Sequence, residues 1–179
     1  MSYSFNIIVA VDSQFGIGKS GLLPWHLKGD LKYFKERTSH VDTMGKKNMV
    51  AMGRKTWESI PQEFRPLSGR LNVVLSINPR LSLPDGVLRC ENLQQVMDQA
   101  TVLKDDIESV FIIGGATVYK EAILMAECRR LYITHILRKF ECDSSFPKIP
   151  PYFKKNIQSD ITKEGEVAYY FAEYERLNP

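Results

Sequence analysis

Residues 5–11 read Phe5-Asn6-Ile7-Ile8-Val9-Ala10-Val11, a β-branched run that leaves neither face polar. Such a run predicts a strand covered on both sides, at the centre of a sheet. Three more short apolar runs predict strands over residues 48–52, 71–75 and 110–113, with others over 87–90 and 130–137. Segments with helical spacing lie between them, over residues 27–38, from Gly53 to Ile60, over 93–103 and over about 117–126. Strand and helix alternate, so the fold class is α/β, a central and mostly parallel β-sheet flanked by helices. Extended stretches near residues 154–161 and 167–176 predict an antiparallel hairpin added at one edge. No Pro/Gly/Ser-rich linker divides the chain, so residues 1–179 read as a single domain.

Composition narrows the function. Lys and Arg total 24 against 21 Asp and Glu, and the resulting +3 is too weak to imply nucleic acid or an anionic membrane as the main ligand. Cys90, Cys128 and Cys142 are scattered, odd in number and without CxxC spacing, which excludes a disulfide framework and fits a reducing compartment. His26, His40 and His135 are equally scattered, so no metal site is expected. The first apolar run is too short for a signal peptide or a membrane span. A soluble, cytoplasmic protein without a presequence is the expectation.

Five segments can carry chemistry. Gly16-Ile17-Gly18-Lys19-Ser20-Gly21 matches GxGxxG, but the glycines neither leave the strand directly nor open a helix, as a dinucleotide turn requires. Residues 12–26 read instead as a long loop, either flexible or a mobile cover whose apolar face is Leu22, Leu23 and Trp25. Leu27, Leu31 and Phe34 share one helix face, and Asp30 falls on it. An acid aimed at an apolar wall needs a partner or a raised pKa. Two readings stay open there: a carboxylate holding a cationic or N–H-bearing ligand, or an Asp at the rim of the face satisfied locally. Two strand-to-helix junctions, Gly53-Arg54-Lys55-Thr56 and Gly114-Gly115-Ala116-Thr117, suit phosphate and together suit a pyrophosphate-bearing nucleotide. Arg65 and Arg70 lie in a Pro/Gly-punctuated loop; they are solvated surface charge or a clamp on a substrate carboxylate, and spacing does not decide between these.

Read together, these segments resemble the dihydrofolate reductase family. The carrying residues are Ile8-Val9-Ala10-Val11, Gly16-Ile17-Gly18, Leu23-Pro24-Trp25, Asp30 with Phe34, Met52-Gly53-Arg54-Lys55-Thr56-Trp57, Ser59-Ile60-Pro61 and Arg65-Pro66-Leu67. They continue through Gly69-Arg70, Leu75-Ser76, Ile113-Gly114-Gly115, Val118-Tyr119, Thr134 and Phe146-Pro147, in the family's order from about residue 5 to the C-terminus. Loop lengths are similar to those of animal-type members, with Asp30 standing where those usually carry Glu.

The resemblance implies NADPH-dependent reduction of 7,8-dihydrofolate to tetrahydrofolate, an oxidoreductase of one-carbon metabolism that antifolate inhibitors would also bind, acting as a cytoplasmic monomer. It implies that Asp30 bonds the pterin N3 and 2-amino group, with Thr134 as second partner. Leu23 and Trp25 would flank a water route to N5. Ile8, Leu31, Phe34, Lys35, Ile60, Leu67 and Ile113 would line the substrate, and Arg70 would grip its α-carboxylate. Ala10 and Ile17 would touch the nicotinamide side of the cofactor, and Gly16, Gly18, Lys19, Ser20, Gly21 and Leu22 would also contact it. Arg54, Lys55, Thr56, Leu75, Ser76, Gly114, Gly115, Ala116, Thr117, Val118 and Tyr119 would hold the rest of it, Ser76 helping to read the 2′-phosphate. The Gly114–Gly115 peptide would be cis.

Three departures from the family pattern stand out. Ile77 and Glu91 replace residues that are often basic, which leaves Arg54, aided by Arg89, to read the 2′-phosphate. Ser144 stands for a usual Thr, and Leu31 for an aromatic common in animal members. A riboflavin-pathway reductase of related fold and a non-catalytic nucleotide- or folate-binding module are the rival readings; Asp30 argues against the second.

Overall fold

The run at residues 5–11 forms strand β1 (Phe5–Val11), buried at five of its seven residues in a computed structural model that describes residues 3–177. It pairs in parallel with β6 (Ile107–Ile112) on one side and β7 (Cys128–Ile136) on the other. Beyond β6 follow β3 (Lys47–Gly53), β4 (Arg70–Leu75) and β5 (Leu88–Cys90), all parallel. Beyond β7 lies β11 (Val167–Arg176), antiparallel, with β9 (Phe153–Gln158) and β10 (Thr162–Glu164) paired along it. The described residues thus form one nine-stranded, mainly parallel sheet with the expected antiparallel edge.

Side-chain alternation along β1 divides the interior into two layers. Phe5, Ile7, Val9 and Val11 point into a core closed by α3 (Leu93–Val102) and α4 (Ala116–Ala122). Ile8 points the other way, into a cluster with Val50, Met52, Phe111 and Tyr132 that Phe34 of α1 (Lys28–Ser39) and Trp57 of α2 (Arg54–Ser59) cover. No helix among the described residues is long and apolar enough to cross a membrane.

Three sequence expectations are revised. Residues 12–26 are not a featureless loop, because β2 (Gly16–Gly18) pairs antiparallel with β8 (Ser144–Ser145) and a tight turn bridges Lys19 to Leu22. Ser20 and Gly21 take positive φ in that turn, at 51° and 78°. Helix α4 ends at Ala122 rather than near 126: the next bonds, Leu124 N–H to Glu121 and Met125 N–H to Ala122, span three residues and tighten the chain away. Arg176 then donates to the carbonyls of Ile123, Met125 and Cys128. Strand β6 starts earlier than its apolar run, at Ile107, because Lys47 of β3 pairs with it.

Candidate active site

Asp30 occupies the first turn of α1 and is 8% exposed. Its Oδ1 accepts a 2.7 Å hydrogen bond from the Thr134 hydroxyl of β7, itself buried. Thr134 is the only protein hydrogen-bond partner recorded for this carboxylate among the described residues, which leaves Oδ2 open to a ligand. Burial pushes the Asp30 carboxyl above its ordinary pKa, the Thr134 bond opposes the rise and the Glu164 charge adds to it. The rim reading therefore fails: the acid is enclosed. It is poised to hold a proton, or to meet a group that donates two N–H bonds.

Trp25 stands beside this acid's helix. Its ring packs edge-on against Phe140 at 5.3 Å, in a cluster with Leu27 and Tyr169. Its indole Nε1 is buried without an acceptor, and a buried donor left unpaired is costly unless a water or ligand meets it. Leu22 and Leu23 are more than half exposed on the covering segment, as an apolar lid needs. That segment is tied down by the Lys19–Glu141 ion pair, by the Ser20 N–H donating 2.7 Å to Asp143, and by Asp12, which accepts from Gly16 N–H and Phe140 N–H. Ile17 shares the outer part of the α3/α4-side core, and Ala10 borders the Trp25 cluster.

The structure groups Ile8, Phe34, Ile60, Leu67 and Ile113 in one apolar cluster, the last four only partly buried and so available to a flat ring. Leu31 is 43% exposed, outside that cluster, and Lys35 is exposed on the same helix.

Arg70 opens β4 and is 9% exposed. Its guanidinium donates to the Thr38 hydroxyl at 2.8 Å and to the Ser68 carbonyl at 3.0 Å, over the Phe34 ring. No carboxylate among the described residues pairs with it; burial alone lowers its pKa. Asn48 fixes the end of α1 by donating to the Thr38 and His40 carbonyls. The solvated-charge reading therefore fails for Arg70, which is buried on neutral partners. Arg65 behaves otherwise, donating to the Trp57 carbonyl.

The two glycine junctions form one place. Gly53 N–H donates 2.9 Å to the Gly114 carbonyl, and the Gly114–Gly115 peptide is cis. Cβ atoms there would crowd the cradle: one on Gly115 would lie 3.2 Å from Thr56 Oγ1, and one on Gly53 would lie 3.4 Å from Val118 Cγ2. Ala116, Thr117 and Val118 open α4 behind it, and Lys55 is exposed beside it. Tyr119 does not face the cradle as a free donor; it is buried and spends its hydroxyl on the Ile8 carbonyl at 2.8 Å. A depression of about 230 Å³ continues past Leu75, Ser76 and Val118 to Glu91 and Glu121. Two cations expected there are already engaged. Arg54 pairs with Glu58 at 2.9 Å, and Arg89 donates to the Ser76 carbonyl while facing Glu91 at 3.5 Å.

Several site residues escaped the sequence reading. Thr38 accepts from Arg70, Asn48 holds the backbone at Thr38, and Arg37 of α1 pairs with Glu173 at 2.7 Å above the Tyr132 ring. Glu164 caps α1 from the far end of the chain. None carries a local signal, since each acts on a segment distant in sequence.

Comparison with known proteins agrees with this geometry. The dihydrofolate reductase family model matches residues 4–176. The chain is 47% identical over 152 residues to a dihydrofolate reductase of Drosophila melanogaster, covering 84% of this chain and 83% of that protein. It is 40% identical over 182 residues to one of Aedes albopictus, covering 97% of each. A solved Schistosoma mansoni dihydrofolate reductase superposes with a TM-score of 0.85 at 37% identity, over 98% of this chain and all of that one.

Proposed function

The chain belongs to the dihydrofolate reductase family and is a reductase of dihydrofolate, and we propose that it uses NADPH and works through Asp30 at one end of α1 and Arg70 at the other. The observation that carries this reading is a pair of buried opposite charges, neither of them matched by a protein counter-charge. Asp30 and the Arg70 partner Thr38 are eight residues apart on α1, about 12 Å along its axis. A ligand with an N–H-rich ring at one end and a carboxylate at the other satisfies both, with apolar Ile8, Phe34, Ile60, Leu67 and Ile113 along the span.

The glycine cradle of Gly53, Gly114 and Gly115 supports a cofactor whose phosphates approach the backbone closely, held by Arg54, Lys55, Thr56 and the start of α4. Ala10, the segment from Gly16 to Leu22, and Leu75 with Ser76 would complete that contact. NADPH, when bound, supplies a hydride to the pterin C6. Asp30 does the rest of the recognition at that end: Oδ1 is fixed by Thr134, so Oδ2 faces the pterin N3 and 2-amino donors. Burial raises its pKa, which favours holding a proton at this end of the site. The unpaired Trp25 Nε1 would orient a water between that acid and the lid residue Leu23, the path by which N5 gains its proton. Arg70 fixes the far carboxylate, which sets how deep the ring lies.

The same cleft would take antifolates that carry an N–H-rich ring. The modest +3 charge supports a small ligand over nucleic acid, the continuous sheet from Phe5 to Arg176 supports one domain, and the three free cysteines support a reducing cytoplasm. Absorbance at 340 nm tests the reading. With NADPH and dihydrofolate the signal should fall in proportion to tetrahydrofolate formed; no loss with dihydrofolate would overturn it.

A further inference from the structure

Helix α1 begins without a cap of its own. The residue at its N-cap position is Leu27, which has no side-chain acceptor to offer, and the helix would leave its first N–H groups orphaned. Two of these are taken by one residue from the C-terminal hairpin. Glu164 Oε1 accepts from Lys28 N–H at 2.8 Å, and Oε2 accepts from Gly29 N–H at 2.8 Å. The buried Tyr169 hydroxyl donates 2.7 Å to the same Oε2. Gly29 makes room for this: a Cβ there would overlap the Tyr169 hydroxyl and lie 3.0 Å from Glu164 Oε2. The next residue in the chain is Asp30.

We propose that Glu164, outside the ligand cleft, is a positioning residue for Asp30, holding the first turn of α1 so that the Asp30 carboxylate stays on Thr134 and faces the substrate. This role deepens the reductase reading of the same site. Glu164 also carries a charge. Its own pKa is held low by the Tyr169 and Gly29 bonds and by the Lys28 N–H and ammonium, so it is ionised at neutral pH. The groups that face Asp30 are Thr134 of β7, the Tyr169 phenol of β11, the Tyr119 phenol of α4 and Glu164, and no cation among the described residues offsets them. Burial keeps both phenols protonated, so among the described residues Glu164 is the one charge that acts on the acid. Like charge disfavours ionisation. Neutralising Glu164 must therefore move the Asp30 midpoint to lower pH.

The test compares wild type, Glu164→Gln, Glu164→Ala and the exposed hairpin control Glu166→Gln. Glu164→Gln keeps an acceptor and the shape while losing the charge. The kcat pH profile with dihydrofolate and NADPH should move acidward by about half a unit in Glu164→Gln. Glu164→Ala should add a fall in kcat of roughly fivefold as the first turn frays, and Glu166→Gln should leave both unchanged. The Asp30 carboxyl carbon, titrated by NMR in ¹³C-labelled free protein, should show the same acidward shift without any turnover. Wild type inactive on dihydrofolate would sink the reductase reading itself. An active wild type whose Glu164→Ala variant keeps the wild-type kcat would overturn the positioning role, and a Glu164→Gln variant that keeps both the profile and the NMR midpoint would overturn the charge effect on Asp30.

Discussion

The two ends of α1 present the same problem with opposite charges and solve it differently. At the N-terminal end Asp30 is buried with one neutral donor, Thr134. At the C-terminal end Arg70 is buried against Thr38, Ser68 and the Phe34 ring. The acid can relieve its burial by keeping a proton, the direction in which burial moves its pKa. The arginine has no such escape, because its guanidinium remains protonated at any working pH. One end is therefore adjustable and suits proton handling. The other is a fixed cation and suits anchoring.

The largest effect should come from the adjustable end. Asp30→Asn should lower turnover at pH 7 by about 100-fold or more, since the amide cannot accept two pterin N–H donors or hold the proton. The free protein should respond the opposite way. A carboxyl whose pKa is raised by folding penalises the folded state once it ionises, so wild-type stability falls as pH climbs from the ordinary carboxylate pKa through the native one. Asp30→Asn lacks that penalty. Urea unfolding should find it equal to wild type near pH 4 and more stable at pH 8. A gain independent of pH would mean that Asp30 is not the titrating group.

The fixed end should give the next effect. Arg70→Leu should cost folate about 2–5 kcal/mol of binding and spare pterin ligands that lack a carboxylate tail, as read by calorimetry. Equal losses for tailed and tailless ligands would turn Arg70 into a scaffold residue and break the contrast.

A matched cation should give the smallest effect. Arg54 is exposed and already paired with Glu58. Arg54→Ala should raise the NADPH Michaelis constant roughly fivefold, more than that for NADH. Glu58→Gln should move the NADPH constant the other way by releasing the guanidinium. Parallel changes for both cofactors would transfer the phosphate role to Lys55 or Arg89.

The contrast also marks what the sequence could reveal. Asp30 is legible because an acid at helical spacing among Leu27, Leu31 and Phe34 violates a local pattern. The central strand at residues 5–11 is legible for the same kind of reason: its run of apolar residues has one good explanation. Arg70 is not, because its burial is made by Thr38 and Phe34 on a different element. The β2–β8 pairing leaves no periodic signal, since it joins Gly16–Gly18 to the two serines Ser144 and Ser145. Glu164 looks like one surface acid among many until the hairpin brings it to Lys28 and Gly29. The engagement of Arg54 is readable in hindsight, as an Arg and a Glu four apart on one helix.

The central claim is that both buried charges serve the ligand and not the fold. Urea unfolding of wild type and of Asp30→Asn/Arg70→Leu at pH 8, each with and without saturating folate, tests it most directly. The free double variant should be at least as stable as wild type, and folate should stabilise wild type alone. A free double variant destabilised by more than about 2 kcal/mol, beyond what a neutral-to-stabilising replacement of buried charges allows, would contradict the account.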